Sequence, residues 1–205
     1  MVNIAVLCSG NGSNLQAIID SVKKGRIRAK IALVASDNKD AFALTRAKKA
    51  LIETLVLDPR LFKSRDDFDK ELTANLKKRD VGLVVLAGFM RLMSPYFIKE
   101  YKLRIMNIHP ALLPSFKGTH GIRDALAYGV KVTGPTVHFV DEELDHGPII
   151  LQRAVEVRDD DTETTLLERV HREEHKIYPE AIKLFAEGRL KVEGRTVKVI
   201  PGRSD

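Results

Sequence analysis

The sequence predicts an α/β protein built on a doubly wound, mostly parallel sheet, with an antiparallel extension in its C-terminal half. Three observations predict it. Short apolar runs alternate with amphipathic segments through the first half. A glycine-rich turn joins the first apolar run to the first amphipathic segment. The stretch Val81 to Ala87 is apolar almost without interruption, the pattern of a central strand buried on both faces.

The elements follow in order. Val2 to Cys8 reads as a strand, and Asn14 to Lys24 as a helix stopped by Gly25. Ile31 to Ala35 is a strand, Ala41 to Ala50 a helix, and Thr54 to Leu57 a strand closed by Pro59. Ser64 with Asp67 three residues on is a capping-box pattern, opening a helix through Lys78. After Val81 to Ala87, Arg104 to Ile108 is a further strand, and Asn107 to His120 reads as a long, proline-punctuated loop. Pro135 to Val140 and Ile149 to Val157 are strands separated by the polar loop Asp141 to Pro148. Thr162 to Glu187 has helical apolar spacing at Leu166, Val170, Ile177, Ala181 and Phe185, with Pro179 expected to kink or split it and Gly188 to end it. Arg189 to Ile200 predicts a small hairpin around Glu193-Gly194. No repeat or linker stands out, so one domain over 1–205 is expected: a half at 1–106, a second half at 107–188 and a tail at 189–205.

Composition narrows the function classes. No apolar run is long enough to span a bilayer, and the N-terminus lacks a signal-peptide pattern, which predicts a cytoplasmic protein. The single cysteine, Cys8, makes no internal disulfide and no metal cluster. The net charge of +6 raises the question of nucleic acid, but the cations are spread and interleaved with acids. The clusters Lys23-Lys24 and Lys77-Lys78-Arg79 fall at expected helix ends, where cations complement the helix dipole. No nucleic-acid or membrane partner is expected, and an anionic small substrate suits the charge.

In a parallel sheet ligands bind beyond the carboxyl ends of the strands, so the turns after Cys8, Ala87 and Ile108 are where chemistry should lie. The first carries Ser9-Gly10-Asn11-Gly12-Ser13-Asn14. Glycines allow close backbone approach, and free N–H groups at a helix N-terminus attract phosphate. A plain capped turn is a rival reading. A dinucleotide fingerprint is another, with Asp37 as its ribose-binding acid, although Leu15 stands where its third glycine belongs. A single phosphate is the favoured ligand. The third turn follows Asn107-Ile108-His109-Pro110, in which Asn107 and His109 share one side of a strand and can both donate to a developing oxyanion. A structural histidine before a proline turn is the alternative. Asp145 would orient and charge the imidazole if it lay beside it, but spacing alone leaves it equally an aspartate in a turn with Gly147.

Taken together, Val6 to Ile19, Leu86-Ala87-Gly88-Phe89-Met90-Arg91, Asn107 to Phe116, Val137 to Val140 and Leu144 to Ile150 resemble the phosphoribosylglycinamide formyltransferases, a folate-dependent formyltransferase family with a Rossmann-like fold. The likeness runs from the first strand to about Phe185. It implies transfer of the formyl group of 10-formyltetrahydrofolate to the amine of 5-phosphoribosylglycinamide in purine biosynthesis, by a monomer or homodimer that needs no metal and no nicotinamide. It implies Gly12, Ser13 and Asn14 for the substrate phosphate and Glu174 for its ribose or amine side. It implies Arg65 for the glutamate tail of the folate and Met90, Arg91, Leu92 and Met93 for the pterin, with Asp141 to Asp145 looping over the pterin and formyl group. Asn107, His109 and Asp145 would be the catalytic trio, with Asn107 and Asp145 also touching the folate. Without the resemblance, Met90 to Met93 would read as core packing, and Arg65 and Glu174 as solvated helix positions. Two residues depart from the family's pattern: His146, where a small or hydroxyl residue is usual, and His171, often a glutamine. Three alternatives stay in view. A methionyl-tRNA formyltransferase would need an appended RNA-binding domain, and only about twenty residues follow Phe185. A formyltetrahydrofolate hydrolase would not need the phosphate loop and would carry a regulatory domain before the first strand. A dinucleotide-binding oxidoreductase remains the reading from another class.

Overall fold

The computed structural model describes residues 1–202. By its contacts the chain divides into two compact units, one spanning Met1–Asn107 and the other running from Ile108 onward.

The first unit winds as β1 (Val2–Leu7), α1 (Ser13–Lys23), β2 (Ala29–Ser36), α2 (Phe42–Lys49), β3 (Thr54–Val56), a 3-10 turn at Pro59–Leu61, α3 (Arg65–Lys77), β4 (Val81–Leu86) and α4 (Pro95–Glu100). It ends in the first residues of β5 (Ile105–His109), the strand that carries the chain into the second unit. Its strands lie in the order β5-β4-β1-β2-β3 and every pairing is parallel. Ile4 to Leu7 and Leu83 to Val85 have no exposed surface, so the two central strands are covered on both faces, as their unbroken apolar composition requires. The winding runs from β1 outward to β2 and β3, then returns to β4 and β5 on the other side. The reversal puts a topological switch point between β1 and β4, the place where sheets of this kind bind ligands.

Local chemistry sets the helix ends. Ser64 Oγ accepts the Asp67 N–H at 3.1 Å, the forward half of the expected capping box. α1 opens instead on Gly12 in the left-handed region (φ 74), with no side-chain cap. The basic clusters fall at helix ends as expected, and Lys77 pairs with Glu100 at 2.5 Å while Arg79 pairs with Glu53.

The second unit holds α5 (Gly121–Tyr128), β6 (Val132–Thr133), β7 (Thr136–Phe139), β8 (Ile149–Gln152), β9 (Val155–Glu156), α6 (Glu163–Ala186), β10 (Leu190–Glu193) and β11 (Thr196–Val199). β7 and β8 are antiparallel, β8 pairs in parallel with β11, and β10 and β11 form the expected hairpin. β6 and β9 make a separate antiparallel pair. Ile122, Val155, Leu166 and Val170 form a small core under α5 and α6. Thr162 and Thr165 cap α6 reciprocally.

The sequence reading differs from the structure at several places here. Ile149 to Val157 is two strands, because the chain changes partner between β8 and β9. At that point Gly134 (φ 144) passes so close that a Cβ on it would lie 1.8 Å from the Arg153 carbonyl oxygen. Pro179 does not split α6, which is one element across it. Burial of Leu166, Val170, Ile177, Ala181 and Ile182 offsets the roughly 3 kcal/mol an interior proline costs. α4 and α5 have no counterpart in the elements the sequence predicts. Among the described residues no helix is long and apolar enough to cross a membrane.

Candidate functional site

The glycine-rich turn lies at the carboxyl end of β1, on one side of the switch point. Backbone bonds carry the sheet past the strand ends: Cys8 N–H donates to Ala35 O at 3.0 Å, and Ser9 N–H to Gly88 O at 2.9 Å. Gly12 is buried, and a Cβ on it would lie 2.7 Å from the Ala43 Cβ and 2.9 Å from the Ala43 Cα. Glycine is therefore required there both for its positive φ and for space. Gly10 has open space around its Cα and contributes only its carbonyl, which accepts the Ala43 N–H at 3.1 Å. Arg46 reaches from α2 to Asn11, donating through Nε to its carbonyl at 2.9 Å and through a terminal nitrogen to its side-chain oxygen at 3.1 Å. Ser13 is the first residue of α1, and Asn14 is buried behind it. The first turn of α1 carries no acidic residue, which leaves its amide dipoles available to an anion.

The loop after β4 is tied to this turn, since Met90 N–H donates to Ser9 Oγ at 2.9 Å. The four residues expected at a pterin diverge. Met90 (72% exposed) and Leu92 (59%) face solvent, which overturns the core-packing alternative for both. Met93 is buried and does pack in the core. Arg91 lies over the Phe68 ring, 4.7 Å from its centroid. Arg65 is exposed at the first position of α3. Beneath the loop, the buried Asp69 accepts the Ser94 N–H at 2.6 Å, and burial pushes its carboxyl above the usual range.

Asn107 and His109 sit two residues apart on β5 and so share one face of it; Asn107 is half-buried and His109 buried. His109 Nε2 lies 2.8 Å from the Phe116 carbonyl. A carbonyl only accepts, so Nε2 carries a proton. His109 Nδ1 faces Asp145 Oδ2 at 3.5 Å, and both side chains are almost wholly buried (4% and 7% exposed). The same oxygen accepts the Gly118 N–H at 2.8 Å. Hence 36 positions of sequence separation close into one contact, which spacing alone did not decide. Asp145 takes a left-handed backbone (φ 47), and Gly147 behind it has no room for a side chain, because a Cβ would sit 1.9 Å from the Phe139 carbonyl oxygen.

His138, which the sequence marks with no role of its own, is a third member. It is buried on β7, and its Nε2 lies 3.8 Å from Asp145 Oδ1. Nδ1 donates to the Phe139 carbonyl at 2.8 Å. Burial lowers its pKa against the smaller opposing pulls of that bond and of the Asp145 charge. A buried carboxylate facing two imidazoles is an arrangement for holding and moving a proton. The lowered pKa also has a sign in stability. The unfolded chain takes up a proton on this ring before the folded one does, so its contribution is complete above about pH 6.5 and declines below it. The melting temperature of the wild type should fall between about pH 7 and pH 5 more steeply than that of His138→Gln. Parallel curves would show that His138 does not titrate in this way.

Glu174 is buried on α6 with its carboxylate 3.9 Å from His171 Nε2, so the solvated-face reading of this residue is overturned. His171 stacks on His175, with ring centroids 6.2 Å apart. His146 Nδ1 lies 2.8 Å from Asp141 Oδ2, which makes Asp141 a partner of His146 within its own loop.

A parallel sheet with a glycine-rich turn at its switch point, and a buried His–Asp pair at the end of β5, mark an α/β enzyme, and the chain belongs to the formyl transferase family, whose model matches residues 2–182. Within it, the chain is similar to the phosphoribosylglycinamide formyltransferase of Escherichia coli (strain K12), at 49% identity over 191 residues, covering 93% of this chain and 90% of that one. It is 40% identical to the enzyme of the same name from Bacillus subtilis (strain 168), covering 89% and 94% of the two chains. The crystal structure of glycinamide ribonucleotide transformylase 1 from Symbiobacterium toebii matches with a TM-score of 0.97 at 51% identity, over 98% of this chain and 95% of that one.

Proposed function

We propose that this protein transfers the formyl group of 10-formyltetrahydrofolate to the amine of 5-phosphoribosylglycinamide, giving the formylated ribonucleotide and tetrahydrofolate. The buried His109–Asp145 contact is the observation that carries the reading. There an imidazole with a fixed proton, a carboxylate and the end of a sheet strand come together.

The roles follow from the chemistry of each group. Gly12, Ser13 and Asn14 hold the substrate phosphate with backbone and side-chain donors at the start of α1. Met90, Arg91, Leu92 and Met93 line the pterin pocket, with Met90 and Leu92 offering exposed apolar surface, and Arg65 supplies a cation for the folate's acidic tail. Asn107 and His109 donate to the negative charge that develops on the formyl oxygen as the amine attacks. For His109 the donor is the Nε2–H that the Phe116 carbonyl accepts in this structure, so the oxyanion competes with that carbonyl. Asp145 stabilises the doubly protonated ring through Nδ1 and helps carry the proton released by the amine, directly or through water, to the folate nitrogen, which leaves as its bond to the formyl carbon breaks. Asp141 closes the same loop on the folate side, and Glu174 meets the ribose or amine end of the acceptor. Anchoring the acceptor by its phosphate fixes the amine, and this orientation supplies much of the acceleration. The protein acts as a single domain, a cytoplasmic monomer or homodimer that needs neither metal nor nicotinamide.

The test is a product balance. Incubation with 10-formyltetrahydrofolate and phosphoribosylglycinamide should give formylated ribonucleotide and tetrahydrofolate in equal amounts. The riboside lacking the phosphate should react at least about a hundredfold less efficiently in kcat/KM, since it loses the anchor. Equal efficiency with the riboside would remove the phosphate role of Gly12 to Asn14.

A further inference from the structure

The loop that carries Asp145 is held from outside by residues that none of the roles above uses. Arg195 sits at the tip of the β10–β11 hairpin, and the pairing of Thr196 with Ile149 fixes that tip beside the end of the loop. One terminal nitrogen of Arg195 donates to the His146 carbonyl at 2.5 Å. The other lies 2.9 Å from His146 Nε2. His146 Nδ1 in turn lies 2.8 Å from Asp141 Oδ2, and Glu143 Oε1 is 3.8 Å from the same nitrogen. The remaining Asp141 oxygen accepts the Glu143 N–H at 3.1 Å. A carboxylate only accepts, so the Nδ1 that faces Asp141 carries a proton, and the guanidinium meets the same ring at 2.9 Å from Nε2 and 3.3 Å from Nδ1. The three groups form one chain of contacts, from guanidinium through imidazole to carboxylate, pinning the loop at its first residue and at the residue after Asp145. A second cation in place of the ring would break it.

We propose that Arg195 and His146 are positioning residues that clasp the Asp141 to Pro148 loop onto the C-terminal hairpin and so hold the Asp145 carboxylate against His109. This rests on the role given to Asp145 above. The steady-state constants of five variants test it. Arg195→Ala should lower kcat/KM for 10-formyltetrahydrofolate about tenfold and leave KM for the phosphorylated amine unchanged, a split that general loosening of the protein would not produce. His146→Gln keeps one donor and one acceptor and should stay within about threefold of wild type, whereas His146→Lys should lose as much as Arg195→Ala. The double variant His146→Ala with Arg195→Ala should be no worse than Arg195→Ala alone, because both changes break the same chain. Asp145→Asn separates the two levels of the argument. If Asp145→Asn is inactive while Arg195→Ala and His146→Lys keep wild-type kcat/KM for the folate, the clasp is wrong and the catalytic reading stands. If Asp145→Asn is fully active, the catalytic reading fails and takes the clasp with it.

Discussion

His109→Ala should lower kcat on the order of a thousandfold, which is about 4 kcal/mol of transition-state stabilisation. Two losses combine. The Nε2–H is removed from the developing oxyanion, and Asp145 loses the ring it faces at 3.5 Å. The same substitution leaves a buried carboxylate short of a partner, so stability falls too, by about 1–3 kcal/mol. For a chain of this size that is a drop of roughly 2–12 °C in Tm, too little to empty the folded state at 25 °C. Turnover at 25 °C measured alongside a melting curve separates the effects. A variant that retains kcat within tenfold of wild type would show that His109 is a structural histidine bonded to the Phe116 carbonyl, the reading that the sequence also allowed. Asn107→Ala should cost on the order of a hundredfold by losing one donor.

Gly147→Ala is the second large effect, and its cause is steric. The added Cβ would lie 1.9 Å from the Phe139 carbonyl oxygen and 3.3 Å from the Asp141 nitrogen, and both are backbone atoms that no rotamer change can move aside. The loop must lift from the end of β7, carrying Asp145 away from His109. We expect a loss of about 3 kcal/mol or more, a Tm lower by roughly 6 °C or more, and a fall in kcat comparable to that of Asp145→Asn. Gly10→Ala is the control, since nothing lies within 4 Å of the position its Cβ would take. Wild-type turnover in Gly147→Ala would mean that the loop's placement is not needed for the reaction.

These two predictions draw on very different depths of sequence information. The first unit was legible because local rules suffice there: unbroken apolar runs made central strands, and the glycine-rich turn fell at the first strand's carboxyl end. His109 was visible as a residue at a strand end. Its contact with Asp145 was not, because it depends on the antiparallel pairing of β7 with β8, which brings the intervening loop back over His109. His138 gave no signal of its own, since a histidine on an apolar strand reads as core until its neighbours are known. α5 was hidden because it opens on glycine without a side-chain cap and offers only Ile122, Ala125 and Leu126 as an apolar face. Glu174 read as solvated from composition and is buried, because α6 turns that face inward. Arg195 and His146 stand 49 positions apart and meet only through the register of β8 and β11.

The central claim is that this protein moves a formyl group to a phosphate-anchored amine and not to water. Its most direct test follows the absorbance change of folate deformylation with the wild-type protein, first with the folate alone and then with 5-phosphoribosylglycinamide added. Deformylation that starts only on addition of the amine, at one formyl per amine consumed, is the predicted result. Deformylation at the same rate without the amine would contradict the account and make water the acceptor.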